Sequence, residues 1–215
     1  VELGREIAER LVGDRDAVTL IPVDIREKLE LVRSGDVDMT ISANSMSCDR
    51  WEEVLFSAEY LSANQVFLVR GDHPLADRVD LARSRVCVTA GSSSAKILSR
   101  HAAAAEQVPR QTRADCLVAL QRGEADAYFG HDSFIVGMVA QDPTNVIVRD
   151  LLPEEVTVSH YGIAVNRDEP ELVRAINAAL ADIVADGTWA ELHDALVTRL
   201  PDIGDAPAPT PRSPA

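Results

Sequence analysis

Apolar residues recur along most of this chain with one of two periods, near four residues or near two. Leu3, Ile7 and Leu11 are spaced by four and predict a helix over 1–11. Positions 18–23 form a β-rich run that predicts a strand, and a helix near 26–34 follows, closed by Gly35. Val37, Met39 and Ile41 share one face of a strand over 37–42. Further strands are predicted at 65–70, 86–89, 125–130, 146–148 and 161–165, with helices over 94–105, 115–122 and 132–140. Later, Leu172, Ile176, Leu180 and Ile183 form an apolar stripe on a helix that Asp168 and Glu171 cap and Gly187 ends. Thr188 and Glu191 open another helix, which buries Leu192, Leu196 and Leu200. Positions 201–215 are rich in Pro and Ala, carry no apolar period and read as a disordered tail.

Alternating helix and strand patterns predict an α/β protein. Residues 29–38 (LELVRSGDVD) align without gaps on residues 117–126 (LVALQRGEAD). Each is a helix, a glycine stop, an acidic residue and a strand entered through Asp. Either any helix-to-strand junction looks like this, or the chain holds two similar lobes. Two lobes would place a ligand where open α/β sheets bind, at the carboxyl ends of the strands.

Charge and composition narrow the partners. The 215 residues carry 21 basic and 35 acidic side chains, a formal charge of −14, which argues against nucleic acid or an anionic membrane surface. Aromatic residues are only 4%, too few for a base-stacking platform. No run approaches the roughly 18 apolar residues of a membrane span. The chain starts at Val1 and opens on a helix, which points to a fragment or a processed form. Cys48, Cys87 and Cys116 show no metal-ligand spacing. At least one thiol is unpaired. A Cys87–Cys116 bridge and a pair of buried thiols are both open.

Three strand ends carry chemistry suited to a small zwitterion. After strand 37–42, the run Ala43-Asn44-Ser45-Met46-Ser47-Cys48-Asp49-Arg50 offers backbone groups, hydroxyls and one guanidinium. Arg50 is either a carboxylate clamp or a solvated residue at a helix start. After strand 86–89, Gly91-Ser92-Ser93-Ser94 leads into a helix. That is an anion site of backbone amides and hydroxyls, or simply a serine N-cap. After strand 125–130 comes His131-Asp132-Ser133, where Asp132 either caps the next helix or faces outward to hold an ammonium group.

These residues resemble the bacterial extracellular solute-binding proteins for polar amino acids. The resemblance rests on Ser34-Gly35-Asp36-Val37-Asp38, Ser45 to Arg50 and Phe56-Ser57-Ala58-Glu59-Tyr60, followed by Val88 to Ser94. Asp132, His160-Tyr161-Gly162-Ile163-Ala164 and Asp186-Gly187-Thr188-Trp189 continue it in order. It implies a two-lobed type II periplasmic-binding-protein fold, each lobe a central sheet flanked by helices with a ligand cleft between. Lobe 1 would be 1–60 plus 161–200, short of a first strand upstream of Val1. Lobe 2 would be 62–158, with hinges near 60–64 and 157–161. By the same resemblance Arg50 binds the ligand carboxylate with Ser45 and the Ser92 or Ser93 amide. Asp132 binds the ammonium with the Ala43 carbonyl and the Ser45 hydroxyl. Thr89, Ser92 and Arg113 line the side-chain end. The usual glycine at position 43 is replaced by Ala.

The implied function is capture of an acidic L-amino acid, Glu or Asp before Asn or Gln, for an ABC transporter. No cofactor or metal is implied. The partners are the amino acid and a membrane permease, and the protein would be a monomer in the periplasm or a cell-surface lipoprotein. Two alternatives stay open. One is a sensor domain signalling to a membrane protein. The other is a cyclohexadienyl-dehydratase-like enzyme on the same scaffold, with His131 beside Asp132 as its acid/base candidate.

Overall fold

The computed structural model describes residues 1–72, 75 and 77–199. It divides into two compact units. Unit 1 is Val1–Ser62 with the chain from His160 onward, and unit 2 is Ala63–Ser159.

Unit 1 opens with α1 (Glu2–Val12), whose buried Ile7 faces the core and whose C-terminus closes on Gly13 at φ +75°. Then come α2 (Lys28–Ser34), β1 (Met39–Ser45), the single turn α3 (Cys48–Trp51) and β2 (Leu55–Phe56). Further along lie β8 (Val158–Val165), α9 (Pro170–Ala185) and α10 (Thr188–Arg199). β8 pairs antiparallel with β1 and with β2. Val32, Val54, Phe56 and Ala164 pack together between this sheet and α2. On α9, Ile176, Leu180 and Ile183 are buried, as their spacing predicts.

Unit 2 contains β3 (Leu61–Arg70) from Ala63 onward, α4 (Arg78–Leu81), β4 (Arg85–Thr89), α5 (Ser93–His101), β5 (Glu106–Arg110) and α6 (Arg113–Gln121). It continues through β6 (Ala127–His131), α7 (Asp132–Gln141), β7 (Asn145–Val148) and α8 (Glu154–Thr157). β3 is antiparallel to β6 and β7, while β4 is parallel to β5 and β6, giving the order β7-β3-β6-β4-β5. One face of the sheet buries Phe67, Val69, Val86, Val88 and Phe129. The other buries Leu68, Cys87, Cys116, Leu120 and Ile135. Cys87 and Cys116 are bonded to one another, Cα to Cα 5.6 Å, and Cys48 is free and exposed.

The internal repeat is a geometric one. At the end of α2, Gly35 has φ +80° and the Asp36 amide bonds the Leu31 carbonyl at 3.0 Å. After α6, Gly123 has φ +66° and the Glu124 amide bonds the Ala119 carbonyl at 2.8 Å. Both are left-handed glycine closures, which a Cβ would strain. One lies in each unit.

Several expectations are corrected. Residues 18–23 are not a strand. The outer edge of β1 beside them has no partner among the described residues, and a groove of 940 Å³ lined by Ile7, Leu11, Val18, Leu20 and Ile41 separates the two. With no neighbour to accept its backbone hydrogen bonds, the run stays irregular and leaves Leu20 and Ile21 half exposed. β2 and β5 carry no alternation that predicts them. Asp168 does not cap α9: Glu169 holds that position without a side-chain bond, and Pro170 starts the helix. Thr188 is already helical, since the Glu191 amide bonds the Gly187 carbonyl at 3.1 Å. The predicted tail 201–215, Leu200 and the burial of Leu196 lie outside the described residues.

Candidate functional site

In unit 1 the candidate groups sit at the end of β1. The β1–β8 register shifts between Thr40 and Asn44, and within that bulge Ala43 takes φ +47°. The bulge is tied down from several directions. Asn44 donates to the Thr40 carbonyl at 2.8 Å, and the buried Lys28 donates to the Ser42 carbonyl at 2.8 Å. The Ala43 amide donates to the buried Tyr60 hydroxyl, whose pKa burial pushes up to about 12. Ser47 precedes α3, and Arg50 comes from the α3 turn.

Arg50 is only 9% exposed, and Nη1 donates to the Ser45 carbonyl at 3.2 Å. Burial lowers its pKa, opposed by the charges of Asp49 and Glu53. No carboxylate of the described residues lies within ion-pair distance of it. A guanidinium out of water with one backbone acceptor and no counter-ion is costly unless something else pairs with it. Sequence reasoning left Arg50 open between clamp and solvated helix start; the structure excludes the solvated form.

In unit 2 three strand ends converge. Ser92 caps α5, its Oγ accepting from the Ala95 amide at 3.1 Å, so the serine N-cap is realised, and Gly91 before it has φ +74°. Ser93 Oγ lies 3.4 Å from Gln65 Nε2. Thr89 ends β4, buried. Thr112 and Asp115 form a reciprocal capping box that makes Arg113 the first residue of α6, two residues before its predicted start. The Arg113 guanidinium carbon sits 3.7 Å from the centre of the Phe134 ring.

Of the two readings of Asp132, the helix cap is not realised. The cap position of α7 belongs to His131, which makes no side-chain cap bond, and Asp132 is the first helical residue, 3% exposed. Its Oδ1 accepts from the Asn64 amide at 3.1 Å and the Ser133 amide at 2.8 Å, and its Oδ2 lies 3.4 Å from Arg149 Nη1. The Asp132 side chain is therefore buried and faces the Arg149 guanidinium. Sequence reasoning missed Arg149, since 17 residues and a strand separate it from Asp132 and no local pattern joins them. His131 Nε2 lies 3.0 Å from both Gln65 Nε2 and Ser159 Oγ. Phe134 and Tyr128 were also missed. Gly130, two residues after Tyr128 on the same face, was the available signal.

Two α/β units, each with polar groups gathered at its strand ends, define the two-lobed type II periplasmic-binding-protein class. The chain belongs to the bacterial extracellular solute-binding proteins, family 3, whose model matches residues 1–198. It is 25% identical over 194 residues to the ABC transporter glutamine-binding protein GlnH of Bacillus subtilis, covering 90% of this chain and 70% of that protein. It is 31% identical over 166 residues to the glutamate-binding protein GluB of Corynebacterium glutamicum, covering 75% of this chain and 56% of that one. Among solved structures, an ancestral arginine-binding protein bound to glutamine superposes with a TM-score of 0.82 at 26% identity, over 91% of this chain and 85% of the other.

Proposed function

We propose that this chain captures a polar L-amino acid outside the cytoplasm for an ABC transporter, and that the ligand is acidic, Glu or Asp before Asn or Gln. The observation that carries this is Arg50, a buried guanidinium without an ion-pair partner among the described residues. A ligand carboxylate supplies the missing partner, gripped by two N–H donors at once. Ser45 adds its hydroxyl, and the Ser92 and Ser93 region adds the amides and positive end of α5. Asp132, buried beside Arg149, takes the ammonium with the Ala43 carbonyl. Thr89 and Arg113 receive the side chain. Arg113 disfavours a basic ligand by like charge.

Arg50, Ser45 and Ala43 belong to unit 1, and Thr89, Ser92, Ser93, Arg113 and Asp132 to unit 2. The proposal therefore requires the units to close on one molecule, which shifts the population toward the closed form because only that form satisfies both ends. The hydrogen bonds of His131 go to Gln65 and Ser159 and those of Asp132 to Asn64, Ser133 and Arg149, which supports binding over an acid/base dyad. The relatives named for glutamine and glutamate support uptake over signalling.

Calorimetry against the common amino acids tests the reading. Arg50→Met should weaken binding about 100-fold or more, since an unpaired buried charge costs about 3 kcal/mol or more. It should leave the melting temperature unchanged or raised, because the substitution removes a buried charge. A variant that binds as tightly as the unaltered chain would overturn the assignment.

A further inference from the structure

Unit 2 contains a corner whose parts are held in place from two sides. Cys87 and Thr89 are two apart on β4 and share a face, and Arg113 and Cys116 are three apart on α6 and share a face. The Cys87–Cys116 disulfide joins those faces, which sets Arg113, one turn nearer the start of α6, beside Thr89 at the carboxyl end of β4. Tyr128 pairs in register with Cys87, and its ring lies over Gly130, where a Cβ would come 2.7 Å from the hydroxyl oxygen. Only glycine leaves that path open. The Tyr128 hydroxyl consequently faces Thr89 and the Arg113 charge, while burial raises its pKa and keeps it a donor at neutral pH.

Two polar groups of this corner, Thr89 and Arg113, are under-satisfied among the described residues. Thr89 Oγ1 is buried without a full hydrogen bond. Arg113 has the Phe134 ring beneath it and no ion pair or hydrogen bond among the described residues. Stacking on a ring engages the flat face of a guanidinium and leaves its N–H edge outward. We propose that Phe134 and the Cys87–Cys116 disulfide are positioning elements that hold Arg113 beside the Thr89 and Tyr128 hydroxyls, so that this corner takes a ligand side-chain carboxylate and sets the preference for acid over amide. The inference deepens the proposed function and rests on it.

The donor count explains the direction of selectivity. A carboxylate offers two acceptor oxygens to the guanidinium edge and one hydroxyl, whereas a carboxamide turns an NH2 donor against donors. The test is calorimetric titration of the unaltered chain and its variants with L-glutamate and with L-glutamine. The unaltered chain should favour glutamate. Arg113→Met should weaken glutamate binding about tenfold and glutamine binding little. Phe134→Leu and the paired Cys87→Ala/Cys116→Ala variant should each lower the glutamate-to-glutamine ratio about threefold, and Phe134→Tyr should retain it. A purely structural disulfide or ring would lower the melting temperature and leave that ratio where it was. If the ratio survives Phe134→Leu, which leaves the disulfide intact, while Arg113→Met abolishes it, the positioning proposal fails and the proposed function stands. Binding of a basic amino acid, or of no amino acid, overturns both.

Discussion

Ala43 concentrates a backbone cost at one residue. Its φ of +47° lies in the left-handed region, where a side chain costs roughly 1–2 kcal/mol, partly offset because glycine loses more chain entropy on folding. Ala43→Gly should therefore stabilise unit 1 by roughly 0.5–1 kcal/mol, read as a higher denaturant midpoint at unchanged slope. Tyr60, which accepts from the Ala43 amide, makes a second prediction. Its phenol is pushed up to about 12 by burial, while in the unfolded chain it ionises near 10. Between those values the unfolded chain binds fewer protons, so stability is fully present below pH 10 and falls as pH rises from 10 towards 12. The span corresponds to roughly 2–3 kcal/mol. Urea titrations from pH 9 to 11.5 should show the decline, and Tyr60→Phe should flatten it. A residual slope is expected, because burial raises the Tyr128 phenol in the same direction.

At the scale of elements, what was legible is what local spacing encodes. The three-and-four period of α9 and the glycine closures after α2 and α6 depend on neighbours in sequence, and they are found where the pattern predicts. What depends on a partner was not legible. Residues 18–23 have the composition of a strand, yet strand formation needs an edge within hydrogen-bonding reach, and the groove keeps this run apart from the outer edge of β1. β5 is the converse. Glu106-Gln107-Val108-Pro109-Arg110 has no alternation and contains a proline, but as the outermost strand beside β4 it needs hydrogen bonds on one side only. The site divides in the same way. Arg50, Ser92 and Asp132 stand out because they follow strands, whereas Arg149, Phe134 and Tyr128 matter only through contacts made in three dimensions.

For the molecule as a whole, the two units are unequally completed. Unit 2 has sheet faces covered on both sides and a disulfide closing a 29-residue separation between β4 and α6. Unit 1 keeps a 940 Å³ groove beside the edge of β1 that has no strand partner among the described residues, with Val1 at its lining. We expect a chain extended upstream of Val1 by a strand-forming segment to bury that edge and melt higher than the present chain. Scanning calorimetry of the two would show coincident transitions if the groove contributes nothing to stability.

Cys48 gives the arrangement a practical use. The other two cysteines are bonded to one another, so the molecule offers a single free thiol, exposed and two residues before the guanidinium proposed to grip the captured carboxylate. An environment-sensitive fluorophore attached there would turn each capture event into an optical signal, with no residue of the natural chain altered.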